Sequence, residues 1–213
     1  MRLILGIILL SYTNSIAEPV REGALITELV SSKQSIAPGE TIDIALRIKH
    51  DKGWHTYWKS PGIVGVPTGL AWKLPDGFKA GKILWPQPET VKMGPYDAYG
   101  YHGEVFLIIP LTAPDNAEPE TKTTIKARAS WMCCSTVCQP AFADLKLSIQ
   151  ISKSAQPHKN TKWSNLIINS RSTFAQNNQS WKTTAVRKGK KIILTLSPLE
   201  KEKVVVKQFP NSF

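Results

Sequence analysis

The chain has 213 residues, 42% of them hydrophobic and 20% charged, which is ordinary globular composition and excludes disorder as its main state. Fifteen prolines, 13 glycines and seven tryptophans against three methionines favour short strands over a helical bundle. The formal net charge of +11 would point to nucleic acid or an anionic surface only if it lay on the main domain, and it does not.

The start of the chain sets the expected compartment. Arg2 precedes the apolar run Leu3 to Leu10, polar residues follow to Asn14, and Ser15-Ile16-Ala17 offers small residues before a cut at Glu18. A basic start, a short apolar core and a small-x-small end predict an export signal over residues 1–17. The run is too short for a permanent span, so the mature chain is expected without one, in an oxidising space that is the periplasm in a Gram-negative cell.

Residues 18–150 hold 14 Lys/Arg and 14 Asp/Glu, whereas residues 151–213 hold 12 Lys/Arg and only Glu200 and Glu202. The densest cluster, Arg187-Lys188-Gly189-Lys190-Lys191, reads as a hairpin turn with a solvated face, or as a patch for an acidic partner or anionic lipid. No aromatics interleave with it as single-strand binding requires, so no nucleic-acid partner is expected.

Leu25–Val30 and Thr41–Ile48 alternate apolar and polar residues around Ala37-Pro38-Gly39-Glu40, which predicts strand, turn and strand. Trp54–Trp58 and Leu70–Leu74 read as further strands, and Phe78–Trp85 as one stopped by Pro86 and Pro88. Val105–Leu111 is almost continuously apolar and suits a buried strand. Thr121–Trp131 and Ala141–Ile151 are two long strands flanking the cysteines. So many short strands over residues 18–152 predict an all-β, immunoglobulin-like β-sandwich. Residues 153–160 read as a linker. Residues 161–213 read as a basic, partial second β segment with one helix over Trp163–Phe174 and strands over Trp181–Arg187, Lys191–Leu196 and Lys203–Phe209.

The three cysteines, Cys133, Cys134 and Cys138, all fall within Trp131–Pro140. A five-residue ring gives a disulfide only about 2 kcal/mol of chain-entropy stabilisation, against roughly 4–5 for a ring of one hundred. So weak a staple favours a reactive pair over a structural bridge, and the odd cysteine count points the same way. Neighbours on a strand face opposite ways, so Cys133 and Cys134 are expected to diverge, while Cys134 and Cys138 sit at the two ends of a turn within disulfide reach. Cys133 is then a buried small hydrophobe or a spare thiol. Two other readings stay open. Met132, Cys133, Cys134 and Cys138, with His102, are soft ligands that suit Cu(I), although the spacing matches no zinc pattern. A sandwich with an inert staple would serve only to bind partner proteins. No hydrolytic or phosphate-binding motif is present and no cofactor is expected.

Several segments resemble the periplasmic N-terminal domain of the DsbD/ScsB thiol:disulfide interchange proteins. They are Gly53–Gly62, Trp72–Phe78, Trp85–Pro88, Tyr99–Glu104 and Trp131-Met132-Cys133-Cys134 with Cys138 and Pro140. The resemblance spans about residues 25–150, and the tail looks like the second β segment of the ScsB-like branch. It implies an immunoglobulin-like sandwich with Cys134 and Cys138 as the redox pair and Cys138 as the more exposed attacker. It also implies a cap over the pair from Tyr96-Asp97-Ala98-Tyr99-Gly100, with His55 and Tyr57 beside it. The implied activity is of the protein-disulfide reductase type. Electrons come from a thioredoxin-like domain that is fed by a membrane-embedded reductase, and they pass to periplasmic disulfide proteins, including isomerases and cytochrome c maturation proteins. Neither the membrane domain nor the thioredoxin-like domain is in this sequence, so either both partners act in trans or the chain is a fragment or a shortened paralogue. The Cys-x3-Cys spacing is nearer the ScsB-like branch, and Cys133 is additional.

Overall fold

The structure, a computed structural model, describes residues 18–156, 161–174 and 181–199. The export signal and the strand expected over Lys203–Phe209 lie outside these residues. The chain divides into a unit ending at Phe174 and a second beginning at Ala175.

The first unit is an immunoglobulin-like β-sandwich. One sheet is built from β1 (Val20–Glu22), β2 (Leu25–Ser31), β4 (Thr41–His50), β7 (Lys79–Ala80) and β10 (Glu104–Thr112), in the order β1-β2-β4-β10-β7. The other contains β3 (Ser35–Ile36), β5 (His55–Tyr57), β6 (Gly69–Lys73), β8 (Glu89–Met93), β9 (Tyr96–His102), β11 (Lys122–Cys134) and β12 (Cys138–Ile151). Its order is β3-β12-β11-β5-β9-β8, with β6 also on β11. The β3–β12 pairing is parallel and the remaining strand pairs are antiparallel.

Alternation decides what each strand buries. Ile125, Ala127, Ala129, Trp131 and Cys133 of β11 and Ala143, Leu145, Leu147 and Ile149 of β12 face the core, against Leu29, Leu46, Ile48, Leu107 and Ile109 of the opposite sheet. The outward residues between them, such as Lys126, Arg128 and Asp144, are exposed. β10 departs from simple alternation because both its faces are covered. Val105, Leu107, Ile109 and Leu111 join the core, while Phe106 and Ile108 pack with Val30 and Ala45 under Ile167 of α1 (Ser164–Ser172).

That helix corrects the expected division of the chain. It was expected with the tail, but it belongs to the first unit. The Thr161 and Ser164 hydroxyls donate to the carbonyls of Ser31 and Ser32 at 2.8 and 2.6 Å, and Arg171 pairs with Asp43 at 2.8 Å. Ile167 is buried and Trp163 and Phe174 pack beside it, while Leu166 is exposed. The described part of the second unit is a hairpin of β13 (Trp181–Lys188) and β14 (Lys191–Pro198), with Gly189 at φ +60° in a two-residue turn where a hairpin turn is expected. No helix among the described residues is long and apolar enough to cross a membrane.

Two strand expectations change. Phe78–Trp85 contracts to β7 plus a single bridge between Leu84 and Ile108. The segment expected as a cap loop is itself a strand, β9, in a hairpin with β8.

Candidate functional site

β11 and β12 run antiparallel to their very end, where Cys134 is paired with Cys138 across Ser135-Thr136-Val137. Directly opposed residues share a face, so the two sulfurs meet there and are bonded at 2.07 Å, with the Cα atoms 4.1 Å apart. The same alternation sends Cys133 into the sandwich core, where it is 3% exposed. The three thiols therefore do not converge. Met132 lies on the Cys134 side, and among the described residues no group of three His, Cys, Asp or Glu is placed to hold a metal ion. This is the reverse of the shared copper ligand set considered from sequence.

The bridge is asymmetric. Cys134 is 0% exposed, while Cys138 is exposed. Cys134 packs with Tyr57, Val91 and Ala98, flanked by Val64, Met93 and Met132. Tyr57 is held down by the loop after β5. Gly65, at φ +92°, lies against its ring where any Cβ would collide. The loop is tied to β9 by the Tyr99 N–H donating to the Pro61 carbonyl at 2.9 Å, yet Ile63 and Val66 remain 80% and 52% exposed.

Polar groups line the other side of Cys134. His55 is its direct partner on β5, and His102 is in turn the partner of His55 on β9. His55 Nε2 lies 3.3 Å from the Tyr57 hydroxyl, and the His55 and His102 rings are 5.4 Å apart, edge to face. His102 Nδ1 and its backbone N–H reach Glu89 Oε1 at 3.0 and 2.7 Å. Beneath them His50 Nδ1 lies 2.9 Å from the Gly103 carbonyl, so this nitrogen carries the proton, and Nε2 accepts from the Thr56 hydroxyl at 2.9 Å.

Burial governs the electrostatics. It pushes His50 down to about 4, with the Gly103 bond opposing. It lowers His55, helped by His102, and raises Tyr57, helped by Cys133. The Cys133 thiol is pushed up to about 12 by burial and then by Asp51, so it stays protonated and unreactive.

The residues assigned to a cap are only partly brought together. His55 and Tyr57 sit beside Cys134. Tyr96 is on the same sheet face but at the turn of the β8–β9 hairpin and is 49% exposed. Asp97 and Tyr99 alternate to the other face. Asp97 pairs with Lys92 at 2.6 Å, and Tyr99 packs edge to face on Trp58 with ring centroids 6.4 Å apart. The β9 residue that touches Cys134 is Ala98. Sequence reasoning held Ala98 only as one residue of the expected cap, missed Val91 and Glu89, and gave His102 a role only as a metal ligand. The period-two pattern of Tyr99 and Tyr101 was the available signal.

Residues 26–149 match the family described as thiol:disulfide interchange protein DsbD, N-terminal. Among solved structures, the N-terminal periplasmic domain of ScsB from Proteus mirabilis is similar at a TM-score of 0.61 and 18% identity, over 88% of this chain and 71% of that one. At that identity the likeness concerns the fold. No curated protein matches the chain.

Proposed function

The chain belongs to the family of the DsbD N-terminal domain, a thiol:disulfide interchange module, and from that premise we propose that it carries reducing equivalents through Cys134 and Cys138 to exported disulfide proteins. The observation that carries this reading is the asymmetry of the bridge: one cysteine is exposed at the end of a hairpin and the other fully buried. Exchange needs in-line access for an attacking thiolate to one sulfur only, and Cys138 provides it. A thioredoxin-like donor attacks Cys138 Sγ, the bond to Cys134 breaks, and Cys134 leaves. The donor's second thiolate then attacks the donor's own first sulfur. The bond to Cys138 breaks and Cys138 leaves as a thiolate, so the donor departs as a disulfide and a dithiol remains here. In the forward reaction Cys138 attacks the acceptor disulfide and Cys134 resolves the mixed disulfide. The exposed apolar residues Ile63, Val66, Tyr96 and Val137 favour docking of a protein.

The donor is a thioredoxin-like domain fed by a membrane-embedded reductase. The acceptors are periplasmic disulfide proteins, those of cytochrome c maturation among them. Export by the N-terminal segment places the reaction in the periplasm. His55, Tyr57 and Ala98 shield the buried sulfur, Tyr96 stands exposed at the tip of the β8–β9 hairpin, and Asp97 and Tyr99 hold that hairpin through Lys92 and Trp58. The test is to mix the oxidised chain with reduced thioredoxin, quench with an alkylating agent and weigh the product. Two new alkylatable thiols at Cys134 and Cys138 are expected. A bridge still closed under a large excess of thioredoxin would refute the reading.

A further inference from the structure

Opening the bridge leaves a charge where water does not reach. Attack on the exposed Cys138 expels Cys134 as the leaving group, and Cys134 is 0% exposed among Val91, Ala98, Val64 and two methionines. A bare thiolate is disfavoured in such surroundings, so the departing sulfur needs a hydrogen-bond donor and then a proton. Of the residues packed in that cluster, Tyr57 alone carries an O–H. That hydroxyl meets His55 Nε2 at 3.3 Å, and His55 is the direct cross-strand partner of Cys134. Next along the same sheet face come His102, whose side chain is 41% exposed, and Glu89.

Resting on the interchange reading above, we propose that the Tyr57–His55 pair is the proton donor to Cys134 Sγ, and that His102, oriented by Glu89, reloads it from solvent. As the donor's sulfur bonds to Cys138 Sγ, the Cys134–Cys138 bond breaks and its electron pair goes to Cys134 Sγ. That sulfur takes a proton from the pair, and His55 recovers one through His102 from water, which received the proton the donor thiol lost. Cys138, released in the second step, is exposed and takes its proton from solvent. In the reverse direction the same pair withdraws the proton from Cys134 so that it attacks as a thiolate. The charged and titratable groups facing the pair are few. They are His50 from β4, His102 from β9, Glu89 from β8, and Cys133 on the far side of β11 with Asp51 beyond it. His50 is already committed to Gly103 and Thr56, so the route to solvent runs through His102.

The test uses the oxidised full chain and dithiothreitol. The opening rate is measured from about pH 5 to about pH 9 and divided by the dithiothreitol thiolate concentration, which removes the donor's own ionisation. For the wild type the normalised rate falls with rising pH and is slower in D2O. Tyr57→Phe and His55→Gln each slow opening at least about tenfold and flatten the pH profile, as loss of a general acid requires. His102→Asn slows it less. The Tyr57→Phe ring keeps its packing, and the wild-type isotope effect needs no variant, so misfolding cannot mimic the result. A wild-type rate that is flat in pH and unchanged in D2O, or variants that match the wild type, would overturn the proposal. If dithiothreitol fails to open the wild-type bridge at all, it is the interchange reading that falls, and this inference with it.

Discussion

Cys133 and Cys134 follow one another on β11, yet one lies in the sandwich core with Trp131 and Ile125, and the other forms the bridge on the opposite face. The difference is one step of the pleat. The inward thiol is held protonated by burial, while the outward one is bonded to an exposed partner and flanked by Tyr57 and His55. The inner face of this strand stores stability and, on the function proposed above, its outer end carries chemistry. Substitutions on the two faces should therefore separate stability from exchange.

The largest effect is expected on the inner face. Ile125→Ala, at a fully buried core position of β11, should cost about 2–5 kcal/mol in urea unfolding, whereas Arg128→Ala on the outer face should stay within about 0.5. An outer-face cost equal to the core cost would break the division. Acid should come next. His50 is held neutral in the fold, near 4, while the unfolded chain takes its proton near 6.5. Its contribution is complete above about pH 6.5 and is lost as pH falls toward about 4, worth up to about 3 kcal/mol. Urea midpoints at the two ends of that window check it, and His50→Gln should flatten the dependence. Cys133→Ser, which buries an unpartnered hydroxyl, should cost about 1–3 kcal/mol and leave the rate of thiol exchange unchanged. The double change Cys134→Ala with Cys138→Ala, which buries no hydroxyl, should cost about 2 kcal/mol for the lost ring while abolishing exchange.

Much of the sandwich was legible because its strands alternate. Leu25–Val30, Thr41–Ile48 and the two long strands beside the cysteines declare their inward faces directly, and that parity also separates Cys133 from Cys134. The β8–β9 hairpin was not legible. Pro86 and Pro88 read as breakers, and an edge strand as short as Glu89–Met93 buries only Val91 fully, too little to show a period. With that hairpin hidden, the neighbours it brings to Cys134 were hidden too. Ala98 carries no chemical signal of its own, and the line from Glu89 through His102 to His55 exists only once β8, β9 and β5 are in register. The helix was visible as a helix, but its partner was not. Its hold on the first unit comes from hydroxyls reaching the carbonyls of Ser31 and Ser32, about 130 residues earlier in the chain, which no local pattern encodes.

The most direct test of the account asks which sulfur a partner meets. A thioredoxin whose single active-site cysteine carries a thionitrobenzoate disulfide should be mixed with the reduced Cys134→Ser and Cys138→Ser variants in turn, and release of the yellow thiolate followed. The account predicts rapid release and a stable protein–protein adduct through Cys138 in the first variant, and neither in the second. Equal adducts from both, or an adduct through Cys134 or Cys133 alone, would contradict it.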